Sequence, residues 1–226
     1  MAIVHRTDCT ITWGVDAPGL LECRSHALRD DDGRVWIIDP VAFDGLEDAV
    51  RAMGEPAGVI VLLDRHLRDA PELADRLGIP LYFPLGTQRQ QLPDTVQRFG
   101  DSIDGCPFAF PVVRQSGRAW IERALWWPAR KILVIAEAVG TVDYFRAHAS
   151  DVCGLHPMMH MRPPRSLMGF DPELVLVGHG DPIEHPGDEI KKVITRGRRD
   201  MGAMMLRMPR LVASAGRALR SGRGGC

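Results

Sequence analysis

The chain has 226 residues, a mass of 25.0 kDa and a formal net charge of −1, and 45% of its residues are hydrophobic. This size and composition predict one compact domain, and neither an internal repeat nor a linker divides the chain. No stretch is apolar for long enough to span a membrane, and polar residues interrupt the N-terminus too early for a signal peptide. The five cysteines are odd in number and lack a CxxC spacing, so no disulfide framework is implied. We therefore expect a cytoplasmic protein.

In the first half of the chain, antiparallel strand signals give way to alternating strands and helices. The acidic turn Asp30–Gly33 predicts a hairpin between two early strands. The patterns predict strands at residues 9–13, 21–28, 35–38, 58–63 and 80–84, and helices at residues 46–53 and 70–77. Alternation of this kind is typical of a mixed α/β architecture.

The second half repeats short apolar runs separated by turns. It predicts strands at Phe108–Val113, Ala119–Leu125, Lys131–Ala136 and Leu174–Val177, and a helix around Val142–His148. The last of these strands runs into LVLVGHGDP, where His179 stands between two glycines. Because glycines remove bulk and permit unusual backbone angles, this histidine can project from the strand end into a cleft.

Three other strand ends carry polar residues. The run GVIVLL leads into Asp64-Arg65-His66-Leu67-Arg68-Asp69, KILVIAEAVGT contains Glu137, and GRVWIIDP ends an early strand in Ile-Asp. Together with the Gly-His-Gly at His179, this order of motifs resembles the metallo-β-lactamase fold superfamily over about residues 20–183. The resemblance implies a four-layer αββα sandwich of mixed α/β (α+β) class.

The ligand motif of that superfamily, His-x-His-x-Asp-His, is altered in this chain. Asp64 stands in place of the first histidine, His66 matches the second, Arg68 replaces the aspartate and Asp69 replaces the last histidine. The family's middle histidine has no counterpart, since no histidine lies between His66 and His148. A guanidinium cannot bind a metal and would repel one, so a second metal ion is excluded.

The resemblance implies a divergent hydrolase with at most one metal ion. His66, Glu137, His179 and Asp64 would hold zinc, iron or manganese, and the metal would activate water against an ester, thioester, lactone or phosphoester. Asp64 or Asp69 would act as the general base.

The alternative is a metal-free, non-catalytic protein in which Arg68 fills the space of the metal. Its guanidinium would pair with Glu137, Asp64 or Asp69. Arg65 and Arg68, with Arg162, would then hold an anionic small molecule or a protein partner. The two hypotheses differ in whether purified protein carries metal.

Two further features lie outside these motifs. His156 and His160 flank Pro157-Met158-Met159, and the prolines nearby predict a loop over the cleft rather than a metal-binding helix. From Lys191 onward ten lysines and arginines stand against one acid, Asp200. We therefore divide the chain into a metallo-β-lactamase-like domain at residues 1–190 and a basic C-terminal helix and tail at residues 191–226. Residues 191–199 are expected to form a C-terminal helix that packs on the sandwich, either as part of the domain or appended to it. For the rest of the tail, contact with an anionic surface such as a membrane or nucleic acid is the alternative left open, as is the oligomeric state.

Overall fold

The computed structural model describes residues 2–15, 21–86, 92–93, 95–116 and 120–220, with the backbone alone at residues 15, 210 and 212–220. Ala119, where one strand was predicted to begin, and the end of the basic tail at residues 221–226 lie outside this part of the chain. The larger sheet has seven strands in sequential order: β1 Ala2–Arg6, β2 Thr10–Val15, β3 Cys23–Arg29, β4 Arg34–Ile38, β5 Glu55–Ile60, β6 Leu81–Pro84 and β7 Gln97–Phe99. Strands β1 to β4 pair antiparallel, whereas β4 to β7 pair parallel.

The second half of the chain forms three smaller sheets. A hairpin joins β8 Val112–Ser116 and β9 Trp120–Arg123, and β12 Val139–Gly140 pairs with β13 Gly154–Leu155. The remaining sheet has four strands in the order β10 Leu125–Trp127, β11 Ile132–Ile135, β14 Leu174–Val177 and β15 Ile183–Glu184. Its central pair, β11 and β14, is parallel.

Two hydrophobic clusters define the layers. One combines side chains of the seven-stranded and four-stranded sheets, such as Ile60 and Val134, and so lies between the two sheets. The other joins the outer face of the seven-stranded sheet to the helices α1 Leu46–Met53 and α2 Ala70–Leu77. The first cluster also includes side chains of both faces of the four-stranded sheet, such as Leu133 beside Val134, and it continues to Ile190, Val193 and Ile194 of the third helix, α3 Glu189–Arg220. The result is the expected αββα sandwich.

The first two helices form where the sequence predicts them, because their signals are local. In α1 the residues Leu46 and Val50, four apart, bury one face, while two acids stand in the first turn. In α2 a proline occupies the first turn, and Gly78 ends the helix in the left-handed region at φ 68°.

The predicted helix at Val142–His148 is wrong, since this segment consists of turns. The Phe145 amide donates to the Val142 carbonyl, which closes a four-residue turn, and the Phe145 ring is fully buried against His179. Tertiary packing of this aromatic ring therefore overrides the local pattern. The strand predicted at Phe108–Val113 begins at Val112 and continues to Ser116.

Two expectations about the whole chain can be compared with the described residues. None of the helices there is long and apolar enough to cross a membrane. The cytoplasmic location stays a prediction. Cys9, Cys106 and Cys153 are free thiols, whereas Cys23 is disulfide-bonded. The expectation, drawn from the cysteine spacing, that disulfides play no part is therefore wrong at Cys23.

Candidate functional site

The candidate site lies where parallel strands of both sheets end. Asp39 follows β4, the segment Asp64–Asp69 follows β5, Glu137 follows β11 and His179 follows β14. Because β4 is parallel to β5 and β11 to β14, each pair of carboxyl ends meets at one edge of its sheet. The structure thus brings His66, Glu137 and His179 into one cluster.

His66 is oriented by a buried carboxylate. Its Nδ1 lies 3.1 Å from Asp39 Oδ2, and Asp39 Oδ1 accepts the Leu62 amide at 2.9 Å. Burial lowers the pKa of His66 well below its usual range, and the nearby arginines lower it further. Burial raises the pKa of Asp39 to about 7, although the charge of Arg68 opposes this shift. His66 is therefore a neutral imidazole whose Nε2 faces Glu137 Oε2 at 3.9 Å.

Glu137 is shared between an arginine and two histidines. Arg65 Nη2 donates to Glu137 Oε2 at 2.9 Å, and the Arg65 guanidinium lies 4.0 Å from the centre of the Trp120 ring. On the other side, His156 Nε2 lies 3.4 Å from Glu137 Oε1. Burial raises the pKa of Glu137, whereas the charge and hydrogen bond of Arg65 lower it. The side chain of Arg65 is 28% exposed and that of Glu137 is 11% exposed, so Arg65 is the more solvent-accessible member of the ion pair.

A second buried carboxylate, Glu122 on β9, holds the backbone that carries Glu137. Its Oε1 accepts the amides of Glu137 and Ala138 at 2.8 and 2.9 Å, and its Oε2 accepts the Trp120 indole N–H at 2.8 Å. Burial raises the pKa of Glu122 to about 7, although these three hydrogen bonds lower it. One side chain thus positions both Glu137 and the aromatic ring beneath Arg65.

His179 occupies a position that only the flanking glycines allow. A Cβ atom at Gly178 would lie 2.1 Å from the Ala136 carbonyl, and Gly180 has a φ of 93°. The imidazole stacks on Phe145 with ring centres 5.6 Å apart and lies 5.5 Å from the His66 ring. Burial lowers the pKa of His179 well below its usual range, with the Glu22 carbonyl opposing the shift. Even so, neither ring nitrogen has a well-aligned hydrogen-bond partner among the described residues.

The Arg68 side chain bonds to backbone carbonyl oxygens and not to the carboxylates that were predicted as its partners. Its Nη1 donates to the carbonyls of Arg24 and Asp39, each at 2.8 Å, and the residue has a φ of 43°. In the described part of the chain Arg68 forms no ion pair, so its predicted pairing with Glu137, Asp64 or Asp69 is wrong. Arg65 is the partner of Glu137. The Arg68 Nη2 atom is buried and has no hydrogen-bond partner among the same residues.

The two predicted general bases have different environments. Asp69 Oδ2 accepts the Ala42 amide at 2.7 Å, which ties the start of α2 to the segment after β4. Asp64 is almost fully buried, and its Oδ1 has no hydrogen-bond partner within the described ranges. Asp69 therefore stabilises a loop, while Asp64, like His179 and Arg68, has a buried polar atom without a hydrogen-bond partner among the described residues.

The donor set does not fit a metal centre, despite the orphaned atoms of His179 and Asp64. Over residues 2–220, outside the gaps given above, no group of three or more His, Cys, Asp or Glu side chains is arranged to hold a metal ion. Glu137, the central acid, is paired with the partly exposed Arg65, and Arg68 adds a second cation whose Nη2 atom is buried. Two guanidinium groups so close to the donors would repel a dication.

Sequence reasoning missed three contributors to the site and undervalued a fourth. Asp39 follows β4 in the expected Ile-Asp motif, and that motif is the sequence signal that could have indicated its role. Glu122 and Phe145 gave no signal, since each acts through contacts across the fold. His156, predicted to lie in a covering loop, caps the 3-10 helix Pro157–Met159 by accepting the Met158 amide, and burial lowers its pKa to about 4.

Several solved structures have a backbone fold similar to that of this chain. The metallo-β-lactamase DIM-1 has a TM-score of 0.64 at 15% identity, over 91% of this chain and 97% of the other. A metallo-β-lactamase from Hirschia baltica has a TM-score of 0.57 at 12% identity, over 87% and 96%. TTHA1623 in a di-iron-bound form has a TM-score of 0.54 at 16% identity, over 78% and 96%. No family model and no curated protein matches the sequence.

Proposed function

We propose, from the metallo-β-lactamase fold that this chain has, that its cleft is a metal-free binding site for a small anionic molecule. The observation that carries the proposal is the pair of arginines at the positions surrounding the family's metal. Arg68 is partly buried with its Nη2 atom inside the protein, and the Arg65 side chain is 28% exposed to solvent. A site with two fixed cations and three neutral histidines favours a negatively charged ligand.

The electrostatic balance supports this proposal. The pKa values of His66, His156 and His179 are all lowered by burial, so none of these rings adds charge near neutral pH. Burial raises the pKa of Asp39 to about 7, which reduces the negative charge that would oppose an anion, and the charge of Glu137 is balanced by Arg65. An incoming carboxylate or phosphate would compete with Glu137 for Arg65, whose side chain is 28% exposed.

The orphaned polar atoms give the ligand further partners. Arg68 Nη2 and both ring nitrogens of His179 are buried without good hydrogen bonds among the described residues. Because an unmade buried hydrogen bond costs about 1–3 kcal/mol, these groups favour a polar guest or ordered water between them. Arg68 and Arg65 would supply charge, while His179 would supply orientation.

The one-metal hydrolase that the resemblance implies is the alternative to this proposal. It is favoured by the orphaned nitrogens of His179 and by the metallo-β-lactamases of the same fold. It would require Glu137 to leave Arg65 and join His66 and His179 around one ion. Fold alone does not establish that activity, and the donor arrangement opposes it.

Elemental analysis separates the two. We expect clearly less than one equivalent of zinc, iron or manganese per chain after growth in metal-supplemented medium. One equivalent that disappears in His179→Ala would instead establish the metal site and overturn the proposal.

Anion binding is tested on the same preparation with inorganic phosphate and citrate as probes. We expect at least one of the two anions to raise the melting temperature of the protein, since a ligand that binds only the folded state stabilises it. The shift should be lost in Arg65→Gln and kept in Arg51→Gln, an exposed arginine of α1 that is paired with Glu47. Equal shifts in both variants would mean that the anion acts elsewhere.

A further inference from the structure

Five exposed apolar side chains gather around the middle of α3. We name them the methionine surface: Met158, Met161, Met168, Met205 and Leu206. They are between 37% and 79% exposed, although side chains of this type are usually buried. A group of exposed apolar side chains of this kind indicates an interaction site rather than ordinary surface.

Contacts between elements show that the segments carrying these side chains lie against one another. Arg198 Nε donates to the Met161 carbonyl at 3.2 Å, and His160 Nδ1 lies 2.8 Å from the Gly197 carbonyl. The 3-10 helix Arg165–Gly169, which carries Met168, also packs on α3. Met205 follows Arg198 by seven residues, nearly two helical turns, and so lies on the same face about 10 Å further along.

The surroundings of the methionine surface are basic. Arg162, Arg165, Arg198 and Arg199 are exposed in the same segments. Residues 152–170 contain no acid, and the sequence has none after Asp200. Asp200 itself is paired with Arg196. The surface therefore combines apolar side chains with uncompensated positive charge.

We propose that the methionine surface docks on an anionic lipid membrane. Apolar side chains flanked by arginines match a bilayer interface, where the former enter the acyl boundary and the latter meet anionic headgroups. A nucleic acid would use the arginines alone and would leave the methionines in water. The charge also disfavours a second copy of the same surface, since two basic faces repel each other.

Cosedimentation of the full chain with vesicles tests this assignment. We expect binding to phosphatidylcholine vesicles that contain phosphatidylserine and little binding to phosphatidylcholine alone. Each arginine near the membrane contributes about fivefold to the partition coefficient. Arg162→Gln with Arg165→Gln should therefore weaken binding by roughly 25-fold.

The apolar contribution is tested separately, because any basic patch binds anionic vesicles to some degree. Met161→Ser with Met205→Ser should weaken binding at least tenfold, whereas Ile3→Ser, at an exposed apolar residue of β1, should leave it unchanged. All these side chains are exposed, and unchanged melting temperatures would show that the fold is kept.

Three results would overturn the proposal. The first is no preference for vesicles with phosphatidylserine. The second is vesicle binding that the methionine substitutions do not change. The third is a stable dimer in light scattering that the same methionine substitutions dissociate. Binding of a single-stranded RNA that persists in the methionine variants, without vesicle binding, would assign the arginines to nucleic acid instead.

Discussion

Replacement of Arg68 by methionine tests whether this side chain stabilises the fold. The guanidinium donates to the Arg24 and Asp39 carbonyls, and these belong to different segments, β3 and the residue after β4. Methionine retains much of the volume but donates no hydrogen bond. The Arg24 carbonyl would then lose the Arg68 donor, at about 1–3 kcal/mol, whereas the Asp39 carbonyl keeps the Ser25 hydroxyl at 2.8 Å and loses one of two hydrogen bonds, at about 1 kcal/mol.

Removal of the guanidinium also relieves the cost of burying it, which partly offsets this loss. We expect Arg68→Met to lower the free energy of unfolding by about 2 kcal/mol. At about 2–4 °C per kcal/mol for a chain of this size, the melting temperature would fall by about 4–8 °C.

Urea denaturation followed by circular dichroism measures the effect, with Arg65→Met as the matched control. The Arg65 side chain is 28% exposed and forms one ion pair, so its loss should cost about 1 kcal/mol or less. An Arg68→Met protein within about 1 kcal/mol of the wild type would refute the structural role that we derive for Arg68.

Three further predictions concern the acid, the histidine and the glycine that build the site. Because burial raises the pKa of Glu122 from 4.5 to about 7, its contribution to stability is full below pH 4.5 and is lost as the pH rises through about 7. Urea titrations at about pH 5 and about pH 8 should therefore show a larger loss in the wild type than in Glu122→Gln. Burial lowers the pKa of His156 from 6.5 to about 4, so its contribution is present above pH 6.5 and is lost as the pH falls through about 4. His156→Asn, which can still accept the Met158 amide, should show a shallower acid loss, and an unchanged acid limb would count against a buried neutral ring. Gly178→Ala should destabilise by about 2 kcal/mol or more, since its Cβ would meet the Ala136 carbonyl, while Gly169→Ala, in open space, should not; equal melting temperatures would contradict the close approach.

Elements with local signals could be predicted from the sequence almost to the residue. The strand β14 and the helices α1 and α2 begin and end where hydrophobic periodicity, prolines and glycines place them. The segment Val142–His148 could not be predicted, because its turns depend on the burial of Phe145 against His179, a residue 34 positions away (179 minus 145). Local pattern and tertiary packing disagree there, and packing dominates.

For the site, too, the local motifs could be predicted from the sequence, whereas the tertiary contacts could not. The motifs place His66, Glu137 and His179 at strand ends, and the parallel pairing of those strands brings them together. Which arginine pairs with Glu137 could not be read from the sequence, since Arg65 and Arg68 are three residues apart and both lie near it. The positive φ of Arg68 turns its side chain towards β3, and that angle appears only in the folded chain.

The hydrogen bonds of Arg68 to two carbonyls also bear on how the site could be redesigned. An aspartate at position 68 would remove the guanidinium donor from the Arg24 and Asp39 carbonyls and would place another carboxylate beside Asp39. The arginine and its surroundings are thus coupled, because neighbouring groups depend on its hydrogen bonds. An engineered metal centre would therefore need compensating changes around β3 before a ligand is introduced at position 68.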